Sequence, residues 1–140
     1  MLRMGLAKEE LKLQQNAYTI LDSLDLVQYA NKACDGLPFG TMKRIELARA
    51  LINKPDLLLL DEPATGLNQS EVNELSSFIK TVRNEYGLTI LLVEHHMGMV
   101  MGISDRVVVL DFGSKIAEGT PEEIQKNPLV INAYLGVSYD

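Results

Sequence analysis

A single cysteine, Cys34, stands in 140 residues, so no internal disulfide can form and the fold must rest on packing. A reduced compartment is the simplest setting for such a chain, and nothing near Cys34 marks a reactive thiol. Long apolar runs are missing too. Leu57–Leu60 and Met97–Ile103 fall far short of the roughly 20 residues that span a bilayer. The first ten residues lack an apolar core followed by a small-residue cleavage site, which argues against a signal peptide. An excess of positive charge is also absent: 13 Lys and Arg face 19 Asp and Glu, for a net charge of -6. Neither nucleic acid nor an anionic membrane surface is then an attractive partner. No segment repeats and none is of low complexity, which sets aside solenoids and extended linkers. The expectation is a soluble chain forming one small domain or part of a larger one.

What is present is punctuated and periodic. Lys8 to Leu26 is rich in Leu, Lys, Glu and Gln and predicts a helix. Asp35–Gly40 holds two glycines and a proline, which predicts a break, with Thr41 capping a second helix through Leu51. Leu57–Leu60 is an unbroken apolar run closed by Asp61, the pattern of a strand buried on both faces of a parallel sheet. Asn68 and Glu71 form a capping-box signature ahead of an apolar stripe at Val72, Leu75, Ile79, Val82 and Tyr86, with Gly87 as the stop. Leu88–Val93 predicts a second buried strand and Arg106–Leu110 a third. Asp111–Ser114 turns into a fourth, Lys115–Glu118. Thr120-Pro121-Glu122-Glu123 opens a short helix; Asn127-Pro128 opens another that Gly136 stops. Strands alternating with helices indicate an α/β layer architecture.

Chemistry concentrates where the apolar run ends. In open parallel sheets ligands sit beyond the carboxyl ends of the strands, where Asp61 and Glu62 emerge. Successive residues leaving a strand point to opposite sides, so one carboxylate can face a hard cation and the other an attacking water. The second task is that of a general base. Solvated acids closing a strand are the plain alternative. Upstream, Leu37-Pro38-Phe39-Gly40-Thr41 is a glycine-containing turn into a helix, and amides at a helix start form an anion site. Downstream, Glu94-His95-His96 puts a histidine just past the second strand, placed to reach a terminal phosphate. Adjacent histidines project apart with no third ligand nearby, so zinc is not expected. Lys43, Arg44 and Arg49 read as solvated helix charges, and Met97, Met99 and Met101 as flexible filler.

In this order and spacing the segments resemble the nucleotide-binding domain of ABC transporters. Leu37–Thr41 resembles its signature turn, Leu57–Glu62 its Walker B strand, Ala64–Asn68 its D-loop and His95 its switch histidine. Ile103–Arg106, Ala117–Ile124 and Val130–Gly136 follow the family pattern as well. The proline-aromatic-glycine signature, Glu-His-His-Met and Ala-Tyr-Leu-Gly make the chain most similar to subunits for branched-chain amino acid uptake. The fold so implied is α/β: the C-terminal half of a P-loop NTPase (RecA-like) core with mostly parallel strands, a C-terminal hairpin and part of the helical subdomain. Residues 1–53 would be the helical-subdomain part and 54–140 the partial α/β core. The resemblance implies ATP and Mg2+ as cofactors, with Asp61 supporting magnesium, Glu62 as catalytic base and His95 on the γ-phosphate. Pro38, Phe39, Gly40 and Thr41 would meet phosphates held by a second nucleotide-binding subunit, and Asn68 would help join the two sites. Membrane permease subunits would hold the protein at the inner face of the cell membrane.

Some features depart from the family pattern. Pro38 stands where serine is usual, so a phosphate contact there is a main-chain one, and Asn68 replaces the usual D-loop aspartate. No pair of glycines has the Gly-x-x-x-x-Gly-Lys spacing of a phosphate-binding loop, which in the family lies upstream with the adenine-stacking aromatic and the Q-loop. Hydrolysis by these residues alone is therefore not expected, because phosphoryl transfer depends on positioning. Open sheet edges predict poor solubility or self-association. The alternative expectation is a non-catalytic remnant or assembly module derived from such a subunit.

Overall fold

The computed structural model describes residues 2–135. It contains α1 (Leu2–Ser23), α2 (Phe39–Leu51), β1 (Leu57–Asp61), α3 (Gln69–Tyr86), β2 (Thr89–Val93), α4 (Met97–Ile103), β3 (Val107–Asp111), β4 (Ser114–Gly119), α5 (Pro121–Gln125) and α6 (Pro128–Leu135), with a short 3-10 turn at Val27–Tyr29. Two compact units divide between Leu91 and Leu92. The stop assigned to Gly136 lies outside the described residues.

In the first unit, α3 carries the strongest local signals and forms where they predict. Asn68 Oδ1 accepts from the amides of Ser70 and Glu71 while Glu71 Oε2 accepts from the Asn68 amide, closing a capping box. Gly87 ends the helix at φ 63°, a left-handed conformation open to glycine at little cost. The apolar stripe then buries Val72, Leu75, Ile79 and Val82 with Leu47, Ala48 and Leu51 of α2. Tyr86, at the end of that stripe, instead bonds Ser23 at the end of α1, Oγ to OH at 2.7 Å.

The start of α2 differs from the sequence expectation. The helix begins at Phe39, so Gly40 and Thr41 lie in its first turn and Thr41 is not the cap. The reason is local: the Met42 amide bonds Pro38 O at 3.1 Å, which starts the helical ladder at the proline. Pro38 takes the cap position with no side-chain cap bond. A methyl group on Gly40 would meet Glu71 Cγ at 3.7 Å, an ordinary contact.

β1 and β2 are hydrogen-bonded neighbours, and the Thr89 amide donates to Asp56 O at 3.0 Å. Burial on both faces does not hold. Leu58 is buried, but Leu57 and Leu59 are 51% and 65% exposed, and Leu91 and Val93 of β2 are exposed as well. The described residues cover one face of β1 and leave the other to solvent. Arg44 is a further correction. It is no solvated charge: Nη2 donates to Leu24 O at 3.3 Å and the guanidinium lies 4.7 Å from the Phe78 ring centroid.

In the second unit β3 and β4 form an antiparallel hairpin, Val107 opposite Gly119, with an irregularity between Val109 and Leu110. Phe112 and Gly113 make the turn, both at positive φ. Val107, Val109 and Ala117 pack against Val100, Ile124 and Val130, so α4, α5 and α6 share one core with the hairpin. Met99 is deeply buried, in keeping with a filler role. Thr120 and Glu123 close the second capping box, with Pro121 opening α5 as expected. On the hairpin surface Lys115 Nζ bonds Glu118 at 2.8 Å and Arg106 pairs with the same carboxylate. The Lys115 bond first, and then the Arg106 charge, hold Glu118 below the usual carboxylate range.

Candidate active site

The carboxylates sit where the apolar strand ends. Asp61 is the last residue of β1 and is exposed. Glu62 follows in a left-handed conformation, φ 44°, so strand alternation stops at Asp61 and does not govern where Glu62 points. Such a conformation costs a non-glycine residue on the order of 1–3 kcal/mol and persists only where neighbours impose it. Here they do. The Thr65 amide bonds Glu62 O, and Thr65 Oγ1 donates to Glu62 Oε2, both at 3.1 Å. The Leu67 amide returns to Ala64 O at 3.1 Å, and Pro63 and Ala64 are buried beneath. The strained backbone at Glu62 and its carboxylate are thereby tied to the loop that follows.

Motif reading places Thr65 in the D-loop segment and does not mark its bond to Glu62. The signal was available, since a hydroxyl shortly after a turning acid can reach back to it. The acidic pair also suits a hard cation. One carboxylate at a strand end suffices for magnesium where substrate phosphates share the ion, which keeps several waters and needs no all-protein cage. Among the described residues no three His, Cys, Asp or Glu side chains gather as a metal cluster.

The turn at the start of α2 belongs to the same unit. The amides of Phe39, Gly40 and Thr41 occupy the first helical turn, where intrahelical acceptors are lacking, and no side chain caps them. The positive end of the helix dipole adds to their preference for an anion. Pro38, Gly40 and Thr41 line a hollow with Arg44, Glu71, Glu74 and Leu75. Asn68 is committed to capping α3 through its side-chain oxygen.

His95 lies in the second unit, between β2 and α4, and is exposed. The Glu94 side chain folds back so that Oε2 accepts from the amides of His95 at 3.1 Å and His96 at 3.3 Å. The amides of Met99 and Val100 then bond His96 O, which starts α4. These bonds fix the backbone that carries the imidazole. Asp61, Glu62, Pro38, Phe39, Gly40, Thr41 and Asn68 are thus gathered in one unit and His95 in the other.

The ABC transporter family matches residues 2–65, and the branched-chain amino acid ATP-binding cassette transporter family matches residues 114–140. The chain is 49% identical over 120 residues to the high-affinity branched-chain amino acid transport ATP-binding protein LivG of Salmonella typhimurium, covering 86% of this chain and 47% of that protein. It is 43% identical over 129 residues to BraF of Pseudomonas aeruginosa, which carries the same description, covering 92% and 51%. The chain spans about half the length of the curated relatives it matches. Among solved structures, an ATP-binding cassette of an ABC transporter in its ADP conformation superposes with a TM-score of 0.81 at 27% identity, over 89% of this chain and 50% of that one. The cbiO1 protein of Clostridium perfringens, part of an ABC transporter complex, gives 0.78 at 28% identity over 91% and 52%. The fold is that of the P-loop NTPase cassettes, and no helix among the described residues is long and apolar enough to cross a membrane.

Proposed function

We propose, from the premise that this chain belongs to the ABC-transporter ATP-binding family, that it forms the catalytic-carboxylate portion of an importer subunit for branched-chain amino acids. Glu62 carries the reading. A glutamate held at positive φ by two bonds from Thr65, directly after a partly buried strand, is strain placed where the proposed chemistry needs it.

In this reading Glu62 takes a proton from the water that attacks the γ-phosphate of ATP, and ADP departs. Asp61 would hold magnesium, which when bound offsets charge on the phosphates. His95 donates to the γ-phosphate. The Phe39, Gly40 and Thr41 amides, introduced by Pro38, receive the phosphates bound by a second nucleotide-binding subunit, and Asn68 lies on the surface between the two. The partners are that subunit and membrane permeases, with the protein on the cytoplasmic side. Residues 1–53 serve as the helical subdomain and 54–140 as the core.

Within these 140 residues no Gly-x-x-x-x-Gly-Lys sequence occurs, so the phosphates need a cradle from elsewhere. Joining the chain to a P-loop-bearing half of a relative should therefore give steady ATP hydrolysis that the chain by itself does not. A joined protein that is folded and binds ATP yet does not turn it over contradicts the proposal and favours a non-catalytic assembly module.

A further inference from the structure

The loop between β1 and α3 and the turn that opens α2 are distant in sequence but meet through one aromatic ring. A methyl group placed on Gly66 would lie 3.1 Å from Phe39 Cε1, 3.7 Å from Cδ1 and 3.8 Å from Cζ. The ring edge therefore rests on the bare backbone of Gly66. Gly66 also holds φ +84°, which any side chain adopts only under strain. Two independent demands, room for the ring and a left-handed backbone, fall on the same residue.

The contact is reinforced on both sides. Lys43 Nζ stands 5.3 Å from the Phe39 ring centroid, and the ring remains 43% exposed, so no core encloses it. Next to it, Gly40 approaches the Glu71 side chain, the same carboxylate that closes the capping box on Asn68. Consecutive residues of α2 thus approach both ends of the segment from Gly66 to Glu71. A ring that served helix packing alone would be buried among apolar side chains, as Leu47 and Leu51 are.

We propose that Phe39 is a positioning residue. Seated on Gly66, its ring locks the first turn of α2 to the loop that holds Glu62 and Asn68, so that both move as one surface. The consequence for turnover rests on the ATPase reading above; the lock itself does not. A displacement of the α2 turn by a bound phosphate is passed through the ring to Gly66, and through the bonds of Thr65 to the Glu62 carboxylate.

Amide hydrogen exchange on the 140-residue chain tests the lock through the Thr65 and Leu67 amides, whose acceptors lie within the loop. Phe39→Ala should speed exchange at both amides about ten-fold, the factor for loss of one good contact, while Ile79 and Val82 in α3 keep their rates. Phe39→Tyr, which keeps the ring, should restore wild-type rates. Unchanged exchange at Thr65 and Leu67, or a rise matched at Ile79 and Val82, overturns the lock. In the P-loop-supplemented protein Phe39→Ala should lower kcat with the KM for ATP unchanged, and Phe39→Tyr should recover it. Faster loop exchange with an unaltered kcat overturns the positioning role. If the wild-type protein shows no turnover at all, the ATPase reading fails while the exchange result still decides the lock.

Discussion

Glu62→Gln, in the protein supplied with a P-loop, lowers ATP turnover by about 10²- to 10⁴-fold, the range over which a positioned general base contributes. The substitution keeps the shape of the side chain and removes its ability to take a proton. Because Glu62 is exposed, thermal stability should hardly change. ATP binding should persist, since the phosphates are held elsewhere. A companion variant separates chemistry from positioning. Thr65→Val deletes the hydroxyl that donates to Glu62 Oε2. It should cost roughly three- to ten-fold in kcat, as expected for one partly solvated bond to a charged group, and Thr65→Ser should recover most of that. Single-turnover hydrolysis checks both. Wild-type rates in Glu62→Gln would remove this residue from the role of base.

What a motif can reveal is set by how local its signal is. The acid pair after an apolar run was legible because types and order alone carry it. Asn68, Glu71, Gly87, Thr120 and Pro121 were legible for a related reason: caps and stops act over one helical turn, within the reach of local sequence. The contacts that organise the site are not local. Phe39 meets Gly66 and Arg44 meets Phe78 and Leu24, and neither pairing is marked in the intervening residues. Arg44 illustrates the cost of reading charge as exposure, since its aliphatic stem and planar head can lie against an aromatic ring. Thr41 failed as a cap because Pro38 O, invisible as a helix start by residue type, accepts the first ladder bond. An apolar run such as Leu57–Leu60 reports what a strand can bury, and not what covers it within these residues.

The second large effect concerns stability. Leu51, the last residue of α2, is 1% exposed and packs in the core of the first unit. Leu51→Ala should cost about 2–5 kcal/mol through lost transfer energy and the cavity left behind. Total stability of a domain is typically about 5–15 kcal/mol, so at least about an eighth of it is at stake. The thermal midpoint followed by circular dichroism should fall by at least about 8 °C for a unit of this size. Leu13→Ala, on an exposed face of α1, should move stability by no more than about 0.5 kcal/mol. Equal shifts for the two variants would mean that Leu51 does not occupy the core described.

The most direct examination of the mechanism is a crystal structure of the P-loop-supplemented Glu62→Gln protein with Mg-ATP. The account predicts the Asp61 carboxylate at the metal, the residue-62 side chain beside the water opposite the leaving group, and the His95 imidazole on the same γ-phosphate. A structure in which His95 faces a surface apart from the nucleotide, or in which the triphosphate lies away from the end of β1, contradicts it.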